Sequence, residues 1–464
     1  MRVLVIGINY APDLIGVAKY NTELCESLAR NHEVRVVTAP PYYPDWKISA
    51  GYRSAWYSRE RLNDVDITRA PIYVPGRPSG AKRLLHHASF LFSAAGPLLS
   101  SALLWRPDIV FAVAPSLLSA PIAAMAAGIS GAASWLHVQD MEVDAAFELG
   151  LLKNATTRKL MLQVERRILG SFDRISTISP QMMRCLEQKG IAAEKLREFR
   201  NWIDTGDIVP GSNQTGLRAN LGLKPTDIVA LYSGAMSNKQ GLELIIEAAA
   251  ATHDSHPSLQ FVLCGNGPVK PILSQMASGL DNVHFLDLQP QDRVSELLNT
   301  ADIHLLPQRV QVSDLVLPSK LAGMLASGRP VVAMAAPGTG IALEATGAGL
   351  VIAPGDAQAL ASAIIELAAD PALRARLGAV ARARAELKWD RISIMRSLER
   401  EFLALPQGKT AKAPRPVQSP RPLQPAQSVR TIEQVTTGSR RRPEFVNRVS
   451  GNRGRQPNVG LRKD

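Results

Sequence analysis

Short aliphatic runs alternate with helix-like segments along this chain, and the alternation runs twice. The first series has strand-like runs at residues 3–6, 34–38, 109–113, 134–138, 174–178 and 196–199. A polar stretch with Gly and Pro follows at 206–226, and the pattern restarts at 228–233, 260–264, 283–286, 303–306, 331–334 and 350–353. Continuous apolar runs mark strands covered on both faces, the condition of a parallel sheet. Intervening helices are the crossovers that parallel strands require. Two α/β domains are therefore expected, 1–204 and 205–390, with a further helix at 391–405. Ligands of such sheets bind beyond the carboxyl ends of the strands, so two facing domains make a cleft.

One stretch, 313–344 (SDLVLPSKLAGMLASGRPVVAMAAPGTGIALE), carries the most local information. Pro318 suits the first turn of a helix over 319–326. Gly328 sits where a left-handed cap belongs, and Pro330 bars continuation. The run at 331–334 is then a buried strand, and the glycine-rich loop 337–340 opens another helix. Two helix N-termini near one sheet edge suit a phosphate, because their free N–H groups point outward. Lys320 adds a full positive charge and Ser319 a hydroxyl. An ordinary helical unit with an exposed surface lysine is the alternative.

The net charge of +12 suggests nucleic acid or a membrane until its distribution is examined. After Leu405 stand 13 of the 53 Lys and Arg and 3 of the 41 Asp and Glu, so residues 1–405 carry 40 against 38. The folded part is nearly neutral, which argues against nucleic acid as its partner. Residues 406–464 are rich in Pro, Gln, Ser and Arg without periodicity, a composition expected to be disordered. Cys25, Cys185 and Cys264 are widely spaced, which fits a reducing compartment. No secretory signal pattern opens the sequence, so a cytoplasmic location is expected. The apolar segment 88–105, preceded by Lys82, Arg83, His86 and His87, is read either as a core helix or as one lying on an anionic membrane face. Residues 42–77 are aromatic and Pro-rich, with weak periodicity. The first β-α-β unit lacks GxGxxG, which disfavours a dinucleotide cofactor.

Several segments, in order, resemble the family 4 glycosyltransferases of GT-B fold over about residues 1–404. These are INYAPDLIGVAKYNTELCESLARNHEVRVVT, HVQDMEVDAAFELG, ERRILGSFDRISTIS with RNWID, YSGAMSNKQGLELIIEA, LCGNGP, NVHFLDLQPQDRVSELLNTADIHLLP and GMLASGRPVVA. Within that family the chain resembles in particular the colanic acid biosynthesis fucosyltransferases, through NWID, SDLVLPSK and GMLASGRPVV. The resemblance implies two Rossmann-like domains facing a cleft, the first for the acceptor and the second for a nucleotide sugar. It implies no metal and no cofactor beyond that donor, with GDP-fucose as one candidate.

This sequence departs from the family pattern at the donor clamp. The second of the family's paired glutamates is Gly323 here, and Asp314 is the nearby carboxylate. The usual arginine after the strand glycine is Ala235, and the usual lysine before Gly241 is Gln240, with Lys239 one residue earlier. Lys320, Lys239 and Arg309 are the expected replacements, with Ser319 and Leu321 beside them. Gly16, Asn266, Gly267 and Gly340 are further donor-side candidates through close backbone approach, although glycines at caps and turns have purely structural uses. Asp140, after the strand 134–138, is a candidate to position or deprotonate the acceptor hydroxyl, or a helix N-cap. His137, within that strand, is either catalytic or a core residue. Glu344 has a solvated helix position as its plain reading.

The resulting expectation is a retaining hexosyltransferase acting on a lipid-linked oligosaccharide at the inner membrane face. A nucleotide-sugar epimerase of the same fold and a catalytically silent subunit of a polysaccharide assembly complex are the alternatives.

Overall fold

A computed structural model describes residues 1–405 except 14–15, 53–54, 78, 142–154, 239 and 310–316. The first domain contains β1 (Arg2–Ile6), α1 (Val17–Ala29), β2 (Glu33–Thr38), β3 (Ser58–Leu62), β4 (Val65–Arg69), α2 (Gly80–Ser100), β5 (Ile109–Ala114), α3 (Ala120–Ser130), β6 (Ala133–Val138), α4 (Ala155–Gly170), β7 (Arg174–Thr177), α5 (Pro180–Gln188) and β8 (Leu196–Glu198). Among the described residues its sheet has eight strands in the order β3-β4-β2-β1-β5-β6-β7-β8. All neighbours are parallel except the β3–β4 pair.

The second domain begins with α6 (Gly216–Asn220) and β9 (Ile228–Ser233). It continues through α7 (Glu243–Thr252), β10 (Leu259–Cys264), α8 (Lys270–Met276), β11 (Val283–Leu286), α9 (Val294–Thr300) and β12 (Ile303–Leu306). It closes with α10 (Lys320–Ala326), β13 (Val331–Met334), α11 (Gly340–Ala345), β14 (Gly349–Ile352), α12 (Ala357–Ala369) and α13 (Pro371–Lys388). Its sheet is parallel, in the order β11-β10-β9-β12-β13-β14. Together these are the two Rossmann-like sheets that the sequence leads one to expect.

The last helix, α14 (Arg391–Ala404), returns to the first sheet. Its Phe402 packs edge-on against Phe111 of β5 and Trp135 of β6. The chain thus passes between the domains twice, and the two passages bond to each other. Ile203 N–H donates to the Trp389 carbonyl at 2.8 Å, and Arg391 N–H to the Ile203 carbonyl at 3.0 Å.

Three features differ from the sequence reading. The 42–77 region holds the β3–β4 hairpin, turned at Asn63 and Asp64, both at positive φ. The SRERL strand is exposed along its whole length, so no apolar periodicity announces it. Helix α2 starts at Gly80, so Lys82, Arg83, His86 and His87 lie within its first turns rather than before it. The polar connector contains α6, capped by the Thr215 hydroxyl accepting from Arg218 N–H at 3.4 Å.

Candidate functional site

The carboxyl ends of β9 and β10 carry two loops that bond to each other. Gly234 N–H donates to the Cys264 carbonyl and Met236 N–H to the Asn266 carbonyl, both at 2.9 Å. A Cβ at Gly265 would stand 1.9 Å from the Gly234 carbonyl oxygen, and one at Gly267 would stand 2.1 Å from that of Met236. Only glycine permits such backbone contact, so the Asn266–Gly267 turn is shaped by the neighbouring loop. The Asn266 side chain accepts from Lys270 Nζ at 3.1 Å.

Lys320 lies across this loop pair. Its Nζ donates to the Tyr232 hydroxyl at 3.2 Å and stands 4.4 Å from the centre of the Tyr232 ring. Its Cδ would be 3.4 Å from a Cβ at Gly234, an ordinary contact, and it is the positive φ of 141° that favours glycine there. Lys320 is half-buried rather than exposed, and burial pushes its ammonium down to about 7. A cation over an aromatic face is attracted by the ring quadrupole, which partly compensates the lost water.

Arg309 reaches the other side of the same loop. It pairs with Glu243 of α7 at 2.6 Å, and its Cγ would be 3.2 Å from a Cβ at Gly241. The first domain meets this region through α1, where the Tyr20 hydroxyl hydrogen-bonds the exposed Ser319. Gly16 precedes α1 at φ 61°, with open space where a side chain would stand. Asp140 is exposed just beyond the end of β6. The structure therefore brings Lys320, Ser319 and Arg309 to the loops that end β9 and β10. Lys239 and Asp314 lie outside the described residues.

Four readings are corrected. His137 is a core residue: it is 1% exposed, packs on Phe111 and Phe199, and bonds the Ser176 hydroxyl through Nδ1 at 2.9 Å. Burial pushes its imidazole down to about 3, a neutral ring with no path to the cleft. Leu321 is fully buried, and its N–H already donates to the Pro318 carbonyl, so neither group is available to a donor. Gly340 is buried, and a Cβ at this position would stand 3.0 Å from the Gln181 side chain of the first domain. Glu344 is a buried ion-pair member, bonded to Arg200 at 2.7 Å and to Lys388 at 3.3 Å. A side chain at Gly323 would meet Leu298 and Ile203, so a carboxylate there would enter the core.

Sequence reasoning missed Tyr232, Tyr20 and Glu243. Tyr232 lies in an otherwise aliphatic strand and reads there as core, and its function as a seat for Lys320 needs the tertiary fold. Asp13 was also missed. It is buried in the loop after β1 and accepts from Tyr42 and Tyr43 N–H at 3.4 and 3.3 Å, while burial pushes its carboxyl up.

Comparison with known proteins places this geometry. Residues 213–384 match the family described as "Glycosyl transferases group 1", and residues 16–202 match "Glycosyl transferase 4-like domain". The protein named as colanic acid biosynthesis glycosyl transferase WcaI of Escherichia coli strain K12 is 43% identical over 71% of this chain and 82% of its own length. Among solved structures, sucrose-phosphate synthase from Thermosynechococcus elongatus superposes with a TM-score of 0.67 at 19% identity, covering 87% of this chain and 98% of that one. Anabaena HepE in complex with UDP superposes with a TM-score of 0.63 at 16% identity, covering 87% and 100%. At these identities the two structures speak for the fold.

Proposed function

Because the chain belongs to the group 1 glycosyl transferases, we propose that it moves a hexose from a nucleotide sugar to a lipid-linked saccharide in the assembly of a colanic-acid-like exopolysaccharide. The enzyme class follows from the family, and the pathway is inferred from the WcaI relative. Fucose carried by GDP is the donor we test first, on the resemblance of NWID, SDLVLPSK and GMLASGRPVV.

The observation that carries the donor site is Lys320 held over Tyr232 beside Gly234. In glycosyl transfer the bond from the anomeric carbon to the diphosphate oxygen breaks, and negative charge builds on that oxygen. A preorganised cation aimed at the oxygen stabilises the transition state without reorganising. Lys320 supplies that cation, and Arg309 supplies a second charge at the loop's outer side. An acceptor hydroxyl attacks the anomeric carbon, and Asp140 takes its proton. Attack from the leaving-group face retains the anomeric configuration.

A lipid-linked acceptor requires contact with a membrane surface. Residues Gly80–Trp105 form a helical run long and apolar enough to span a membrane, with 22% of its apolar window buried. Phe92 is 77% and Leu104 87% exposed, and Lys82 and Arg83 stand exposed in the first turn. This face lies on the bilayer in our reading, with the two cations at the level of the anionic headgroups.

The test is nucleotide release from a panel of nucleotide sugars, with and without a polyprenyl-diphosphate saccharide. Release that requires the acceptor supports transfer. Donor turnover with no acceptor dependence, or donor binding with no turnover, would overturn it.

A further inference from the structure

At the amino ends of the second sheet's strands, the edge opposite the donor loops, a cavity of about 300 Å³ is lined by Asn213, Asp302, Arg329 and Arg374. Arg218 lies behind it, 2% exposed. Its Nη2 donates to Asp302 Oδ2 at 2.7 Å and to the Asp227 carbonyl at 2.8 Å, while its buried Nε and Nη1 have no partner. Arg329 donates through Nη2 to the Gly211 carbonyl at 2.7 Å, and its Nε is also buried without a partner. Arg374 donates to the carbonyls of Leu367 and Ala368.

Charge at this place does not balance. Asp302 is already committed to Arg218, to Asn213 Nδ2 and to Val229 N–H. Among the described residues, neither Arg329 nor Arg374 has a carboxylate at ion-pair distance. Burial holds the Arg329 guanidinium below its usual range, opposed by the charge of Asp302 and reinforced by those of Arg218 and Arg374. Buried guanidinium N–H groups with no acceptor are costly, and guanidinium geometry matches phosphate oxygens in pairs.

We infer that this cavity binds a phosphate-bearing anion, with Arg329 and Arg374 as its contacts and Arg218 as the buried charge behind them. The volume leaves room for a phosphate monoester of a small sugar. The site is joined to α10 and to the connector between the domains. Gly328 and Arg329 form the turn that follows α10, whose first residue is Lys320, and Gly211 belongs to the connector between domains. An anion seated here ties that connector to α13 and steadies the far end of α10.

The test uses the full chain and inorganic phosphate as the probe, against chloride at matched ionic strength. Thermal unfolding and calorimetric titration are followed for wild type, Lys320→Met, Arg329→Gln and Arg374→Gln. A saturable rise in Tm is expected for wild type and for Lys320→Met, with at least a tenfold loss of phosphate affinity in each arginine variant. Both arginine variants should still be stabilised by the nucleotide-sugar donor, which shows that they are folded. A phosphate effect lost in Lys320→Met but kept in the arginine variants would assign it to the donor site. No saturable effect beyond chloride would mean that water alone fills the cavity. Either result overturns the proposal.

Discussion

The ammonium of Lys320 stands 4.4 Å from the centre of the Tyr232 ring, with the tyrosine hydroxyl 3.2 Å away. This pair joins the start of α10 to the end of β9 and fixes a cation at the place our proposed function assigns to the donor diphosphate. The cation is held by an aromatic face instead of a carboxylate, so its charge is not cancelled.

Replacing Lys320 with Met should lower turnover by roughly 10²–10³, the range for losing one preorganised donor to a charged transition state. Because the group titrates near 7 in the free protein, wild-type kcat/KM should fall as pH rises through that value, since only the protonated form carries the charge. The stability effect has the opposite direction. An unfolded lysine titrates near 10.5, so between about 7 and 10.5 the unfolded chain binds the extra proton and Lys320 adds stability as pH rises. Denaturant titrations across that range should show a flatter profile for Lys320→Met.

Arg309→Met should reduce kcat/KM by about tenfold, less than Lys320→Met, because Arg309 is 44% exposed and already paired with Glu243. An exposed pair of this kind contributes only about 0–1 kcal/mol to stability, so Tm should hardly move. Steady-state kinetics on both variants decides their order. If Arg309→Met abolished activity and Lys320→Met kept it, the diphosphate contact would be Arg309.

Glu344→Ala should destabilise the fold by about 1–3 kcal/mol, the cost of leaving buried donors short of a partner. Arg200, with its side chain 11% exposed and stacked against Trp389, loses one of its two carboxylates and keeps Glu198. Equilibrium unfolding in urea measures the loss. A change below about 1 kcal/mol would show that Glu198 and water satisfy Arg200 without Glu344.

Phe92→Asp combined with Leu104→Asp should weaken binding to anionic vesicles by roughly tenfold or more, since fully burying each such side chain is worth about 1.5–3 kcal/mol. Lys82→Glu with Arg83→Glu should weaken it too, and that loss should shrink as salt rises. Vesicle sedimentation with unchanged solution Tm separates the effect from misfolding. Binding equal to wild type in all four substitutions would remove this face from consideration.

The strands Val283–Leu286, Ile303–Leu306 and Val331–Met334 are legible in the sequence to the residue, because each is a short, mainly apolar run bounded by turn or cap residues, interrupted only by His284 in the first and His304 in the second. Ile303–Leu306 and Val331–Met334 are buried along their whole length, while the edge strand Val283–Leu286 is half-buried. Gly328 and Pro330 likewise mark the end of α10 locally. The strand Ser58–Leu62 is not legible, since an exposed edge strand needs no apolar face, and only its pairing with Val65–Arg69 defines it.

Local sequence therefore determined two largely parallel sheets and the presence of a cation at the start of α10, while the β3–β4 hairpin and α6 escaped it. Tertiary structure alone decided which side chains serve the cleft. Periodicity shows that a residue lies on a buried face but not what covers it, so His137 and Leu321 were open to a site reading until Phe111, Phe199 and the core around α10 closed over them. The seat for Lys320 is Tyr232, 88 residues earlier in the chain. That contact exists only because β9 and α10 meet at one sheet edge, a condition set by packing over the whole domain.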